Sequence, residues 1–139
     1  MPVTLTQIRE GLAASLATLH GVQVSAYMLA NPTPPAIHIY PAAVEYDYTF
    51  RRGYDTWTLT VQAFVGYSSD IGAQKKLDAF LAPSGTQSLK QAAEADRTLA
   101  GIVESVRVVA ATGYHEYTRE GGSTVLGAEW QTEIYASGA

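Results

Sequence analysis

The sequence predicts an α+β fold: a mostly antiparallel sheet, with an N-terminal helix and a central helix plus a short helix packed on it. Three observations lead there. Trp57, Leu59, Val61, Ala63 and Val65 alternate with Thr56, Thr58, Thr60, Gln62 and Phe64, as on a pleated strand with one strongly apolar face. The period then becomes helical, with Ile71, Leu77 and Leu81 on one face and Gln74 between them, and breaks at Pro83-Ser84-Gly85 before a second short helix. Arg51-Arg52-Gly53 and Glu120-Gly121-Gly122 each separate two alternating runs, which marks hairpins and antiparallel pairing.

Taken in order, residues 4–19 are expected to form a helix. Thr4 with Gln7 makes a capping box, Ile8, Leu12, Leu16 and Leu19 line one face, and Gly21 ends it. Residues 22–28 read as a strand. Asn31-Pro32-Thr33-Pro34-Pro35 is an irregular loop, because proline fixes φ and removes an amide donor. A short strand over residues 36–40 is stopped by Pro41. Residues 44–50 alternate Tyr46, Tyr48 and Phe50 against Glu45, Asp47 and Thr49, and pair with the Trp57 strand as a hairpin. The central helix starts at Ser68 or Ser69, whose hydroxyl caps free amides while Asp70 faces the positive end of the helix dipole. The short helix, residues 88–95, turns Leu89 and Ala92 inward. A strand over residues 102–111 and a hairpin of residues 114–119 and 123–135 complete the chain, with Leu126, Ala128, Trp130 and Ile134 sharing a face.

At 139 residues the chain fits a single domain over residues 1–139, able to bury roughly two-thirds of its unfolded surface. No internal repeat, low-complexity tract or linker divides it. The net charge of -4, with only the short basic pairs Arg51-Arg52 and Lys75-Lys76, opposes electrostatic binding to nucleic acid. The absence of cysteine removes disulfides, thiolate metal sites and cysteine nucleophiles, and fits a reducing cytoplasm. Arg9 and Glu10 interrupt the apolar pattern near the N-terminus, so neither a signal peptide nor a membrane span is expected there, and no membrane partner. Charged residues are sparse at 16% and tyrosines number nine, which suits broad protein contacts.

The residue types that carry chemistry are not assembled into a known constellation. His115-Glu116 lacks a second histidine four residues on and falls in a strand pattern, so a strand-surface histidine is the plainer reading. His20 lies at a helix C-terminus, and His38 alternates with Ile37 and Ile39, facing away from them. Glu45 with Asp47, and Glu129 with Glu133, are carboxylate pairs, yet period two places them on the wet side of a half-buried sheet. There is no phosphate loop and no serine elbow. Neither enzyme activity, a cofactor nor a metal is expected. The aromatic set Tyr46, Tyr48, Phe50 and Tyr54 beside Arg51 and Arg52 invites a base-stacking reading, but single-stranded binding calls for more basic residues around it. Two readings fit better: one face of the hairpin joins the core, or, slightly favoured, its tip contacts a neighbouring subunit.

The run Asp70-Ile71-Gly72-Ala73-Gln74-Lys75-Lys76-Leu77-Asp78, the segment from Leu81-Ala82-Pro83-Ser84-Gly85 to Gln91-Ala92, and Ala95-Asp96-Arg97-Thr98-Leu99 resemble the tail terminator proteins of long-tailed bacteriophages, particularly those of actinobacterial hosts. Pro34-Pro35-Ala36-Ile37, Tyr40-Pro41, Gly53-Tyr54 and Gly127-Ala128-Glu129-Trp130 extend the similarity over most of the chain. The resemblance implies a structural virion protein of the tail neck, assembled in the host cytoplasm. It would form a homo-oligomeric ring, typically a hexamer, on the last ring of the major tail-tube protein, stop tube growth and receive the head-completion (connector) protein. DNA would only pass through the lumen. Candidate subunit or tube contacts are Tyr46, Tyr48, Arg51, Arg52 and Tyr54 on the hairpin, and Pro83, Ser84 and Gln87 after the central helix. Alternatives are another neck ring protein (head-completion or stopper), or a small cytoplasmic enzyme or ligand-binding domain that uses His38, Tyr46 and the carboxylates in a cleft.

Overall fold

The computed structural model describes residues 3–28, 35–46, 54–66, 71–118 and 124–137, with Tyr54 and Ser137 described by backbone alone. These residues form α1 (Leu5–Leu16), β1 (Gln23–Ser25), β2 (Ala36–Glu45), β3 (Tyr54–Gly66), α2 (Ile71–Leu81), α3 (Leu89–Glu94), β4 (Ser105–Thr118) and β5 (Thr124–Ser137). The strands make one sheet in the order β1-β2-β3-β5-β4, antiparallel except where β1 runs parallel to β2. Ile8, Leu12 and Leu16 of α1, Leu77 and Phe80 of α2 and Leu89 of α3 share one core with Ile37, Ile39, Leu59, Val61, Trp130 and Ile134 of the sheet. Helices therefore cover one face of the sheet, and the α+β class follows as the sequence predicts.

The N-terminal helix forms for the expected reason. The Gln7 N–H donates to Thr4 Oγ1 at 3.2 Å while the Thr4 N–H donates to Gln7 Oε1 at 2.9 Å, which satisfies two otherwise orphaned amides. It ends at Leu16, short of the expected Leu19; a turn then carries Leu19 into the core, and Gly21 sits at φ +71. In α2 the inward face is Ala73, Leu77 and Phe80, so Ile71 does not point inward as its spacing suggested but is 66% exposed. Phe80 has the larger ring to bury, and it sets the phase of the helix. The start of this helix, with Ser68 and Ser69, lies outside the described residues.

Two expected breaks are not breaks. Pro41 does not stop the strand: β2 continues to Glu45 with a shift in register between Pro41 and Ala43, so the expected 36–40 strand and the start of the expected 44–50 segment are one bulged strand, residues 47–50 lying outside the described residues. Proline is tolerated because this part of β2 lies on a sheet edge, beyond the reach of β1, which pairs only with residues 36–38. Likewise β4 runs through Gly113, at φ +69, with shifts at Val108/Ala110 and Thr112/His115. The predicted strand over residues 22–28 shrinks to the three residues of β1. Both hairpins hold in register, Val44 against Trp57 and Thr118 against Thr124.

Candidate contact surfaces

Of the residues expected to make contacts, Tyr46 follows the last residue of β2 and is 68% exposed. Tyr48, Arg51 and Arg52 lie outside the described residues; Tyr54 opens β3, its backbone paired with Ser137. Pro83 and Ser84 are exposed on the link between α2 and α3, whereas Gln87 is half-buried, its Oε1 without a hydrogen-bond partner among the described residues. That link is fastened from α3. Ser88 Oγ donates to the Ala82 carbonyl at 2.6 Å and accepts from the Gln91 N–H at 3.1 Å, and the Gly85 N–H donates to Gln91 Oε1 at 3.1 Å.

Pro83 borders a groove of about 350 Å³ along the outer edge of β4, with Leu81 and Trp130 as apolar walls, residues 108–111 along one side, and Lys90 and Arg107 at its rim. The strand edge itself is closed at Val108. Its N–H donates to Glu94 Oε2 at 2.8 Å and its carbonyl accepts from Lys90 Nζ at 3.4 Å, while Lys90 and Glu94 are joined at 2.6 Å. Burial pushes the Glu94 carboxyl up, but hydrogen bonds from Lys90 and the Val108 amide outweigh it and hold the group below its ordinary value. Arg107 makes no ion pair among the described residues.

The sheet face turned away from the helices carries a belt that the sequence pattern did not reveal. Here period two called for a wet polar surface, yet His38, Thr56, Thr60 and Phe64 are each only 7% exposed. Cross-strand aromatic packing is the reason. The ring centroids of His38 and Phe64 lie 5.7 Å apart, those of Phe64 and Tyr117 5.4 Å, and His115 stacks on Tyr117 at 4.1 Å. Gly127 makes room for them: a Cβ there would come within 2.8 Å of Phe64 Cδ1 and 2.6 Å of the Ala63 carbonyl oxygen. Most of its polar groups are paired, though the buried Thr56 Oγ1 has no hydrogen-bond partner among the described residues. His38 Nε2 lies 2.6 Å from Gln62 Oε1, Tyr40 Oη donates to Glu129 Oε2 at 2.7 Å, and Tyr117 Oη lies 2.7 Å from the Gly113 carbonyl and 3.2 Å from Glu129 Oε1. Burial, helped by the Glu129 carboxylate, pushes both Tyr40 and Tyr117 up to about 12. Register pairing of β2 with β3, β3 with β5 and β5 with β4 builds this belt, which no local spacing could have announced.

His38 and Tyr46 are eight residues apart on one extended segment, roughly 25 Å at strand spacing, and do not converge on a cleft. Glu129 is held by two tyrosines and Glu133 accepts from Tyr135 Oη at 3.0 Å, so the pair does not act together. His115 is exposed, as expected, with Nδ1 2.7 Å from the Glu116 carbonyl oxygen. A second cleft, about 250 Å³, opens between the end of α1 and α3 and is lined by His20, Thr18, Thr86 and Ser88 among others. No group of three or more potential metal ligands gathers among the described residues, and no described helix is long and apolar enough to cross a membrane. No protein-family model matches the chain, and no curated protein matches it significantly.

Proposed function

We propose that this chain is a structural virion protein that caps the phage tail tube as a ring, ends tube polymerisation and forms the attachment surface for the head-completion protein. One observation carries the reading beyond the resemblance in residues 70–99: the sheet has two unlike lateral edges. On one side, β2 beyond its short pairing with β1 carries, among the described residues, only the Arg9 guanidinium on the Ile39 carbonyl, and leads to exposed Glu45 and Tyr46; on the other, β4 carries the Pro83 groove. A subunit with two different side surfaces makes heterologous contacts, and these close into a ring when the rotation per copy divides a full turn. The helices, confined to one face, leave the two sides of the sheet chemically distinct, as a cap between a tube and a neck requires. The test is mass in solution followed by electron microscopy with the major tail-tube protein. Rings with a central channel at tube ends are expected. A chain that stays monomeric both alone and with tubes overturns the reading, and rings that bind the connector but never the tube assign it instead to the stopper class.

A further inference from the structure

We infer that the groove beside β4 receives the end of β2 from a second copy, Tyr46 of one chain entering beneath Pro83 of the next with Glu45 alongside Arg107. This rests on the ring reading and names its interface. A neighbour cannot extend the β4 ladder through Val108, because Glu94 and Lys90 already occupy that N–H and carbonyl. On the other edge, Pro41 supplies no amide and the register shift beside it bends the strand. Copies that meet edge to edge therefore join through side chains. The groove offers a mixed lining with Leu81 and Pro83 as its apolar side chains nearest the surface, a volume of about 350 Å³ and one cation without an ion pair among the described residues. Tyr46, 68% exposed, is the most exposed large hydrophobic among the described residues, and exposed Glu45 precedes it. An aromatic anchor in a pocket, flanked by an opposite-charge pair, is the usual core of a protein contact. Met28, at 63%, has no acidic neighbour in sequence, and Ile71, at 66%, begins the helix whose other end, Leu81, already walls the groove. Among the described residues, Tyr46 alone combines the anchor, the acid and a position on the opposite edge.

The chain contains no cysteine, so introduced thiols report contacts cleanly. Tyr46 and Ala110 lie on edge strands separated by β3 and β5, roughly 14 Å sideways from strand spacing alone, too far for a bond within one chain. The variant carrying both Tyr46→Cys and Ala110→Cys should give a ladder of covalent oligomers on mild oxidation, and one carrying Tyr46→Cys with Lys75→Cys should not. Arg107→Glu should weaken self-association by about tenfold or more, with Glu45→Arg restoring it in the same chain. A ladder absent or equal in the Lys75 control, an Arg107→Glu chain that associates normally, or an Ala110→Cys chain that cross-links only to tube protein overturns the inference. Wild-type rings on tubes with any of those results leave the ring reading standing without this interface; a ladder without rings on tubes does the reverse.

Discussion

Asp96 holds an unusual stretch of backbone with one exposed carboxylate. Leu99, Ala100 and Gly101 are successive residues at positive φ, of 48, 61 and 87°, a conformation that costs about 1–2 kcal/mol for each residue with a Cβ. Two features compensate. Leu99 is buried against Gly11, and Asp96 accepts from the Ala100 N–H at 2.8 Å, the Thr98 hydroxyl at 2.9 Å and the Thr98 N–H at 3.1 Å. The Ala100 amide first, then Thr98, holds the Asp96 carboxyl below its ordinary 3.8. A depressed carboxylate contributes stability that is present above the unfolded value and lost as pH falls through the folded one. Asp96→Ala should therefore lower the urea midpoint at neutral pH, and the gap between variant and wild type should close once the pH is well below 3.8. A gap that stays constant down to acid pH would show that the charge is not what fixes this turn. The sequence displays Asp96 and Thr98 openly, but no propensity places Leu99 and Ala100 in the left-handed region. Burial of Leu99 decides it.

At the scale of elements, local chemistry was readable wherever the residues that make a feature are neighbours in sequence. The Thr4–Gln7 capping box, the inward Leu89 and Ala92 of α3 and the apolar face of β3 are of that kind. Features decided by distant partners were not: Pro41 read as a stop and residues 112–113 as a gap between two strands, yet pairing with β3 and β5 carries both strands past them as bulges. The same limit applies to the contact surfaces. Tyr46 and Pro83 were visible as candidates, whereas Lys90, Glu94 and Arg107 gained their roles only when α3 was set against β4. That packing is testable. Glu94→Ala removes the acceptor for the Val108 N–H and the partner of Lys90, and should cost about 1–3 kcal/mol in urea unfolding. Glu94→Gln keeps a neutral acceptor and should lose about half as much. Equal losses in the two variants would show that charge, not hydrogen bonding, is what matters at this edge.

For the whole molecule, the balance of 9 basic against 13 acidic residues governs its dealings with DNA. A binder that neutralises several phosphates loses affinity steeply with salt, by about a thousandfold or more between 50 and 200 mM for six contacts. This chain should show no such slope: fluorescence anisotropy with duplex or single-stranded DNA should give weak or no binding, with little change over that range. A steep slope would restore the nucleic-acid reading and would direct attention to the arginines at residues 51 and 52. The lock that Lys90 and Glu94 place on Val108 matters at this scale as well. An open strand edge is a template that copies itself without limit and keeps no count. With that edge satisfied from within, growth by simple sheet extension is blocked at this point, and any assembly takes its number from the angle between side-chain surfaces. The number of copies in such an assembly is then a property of the subunit's shape.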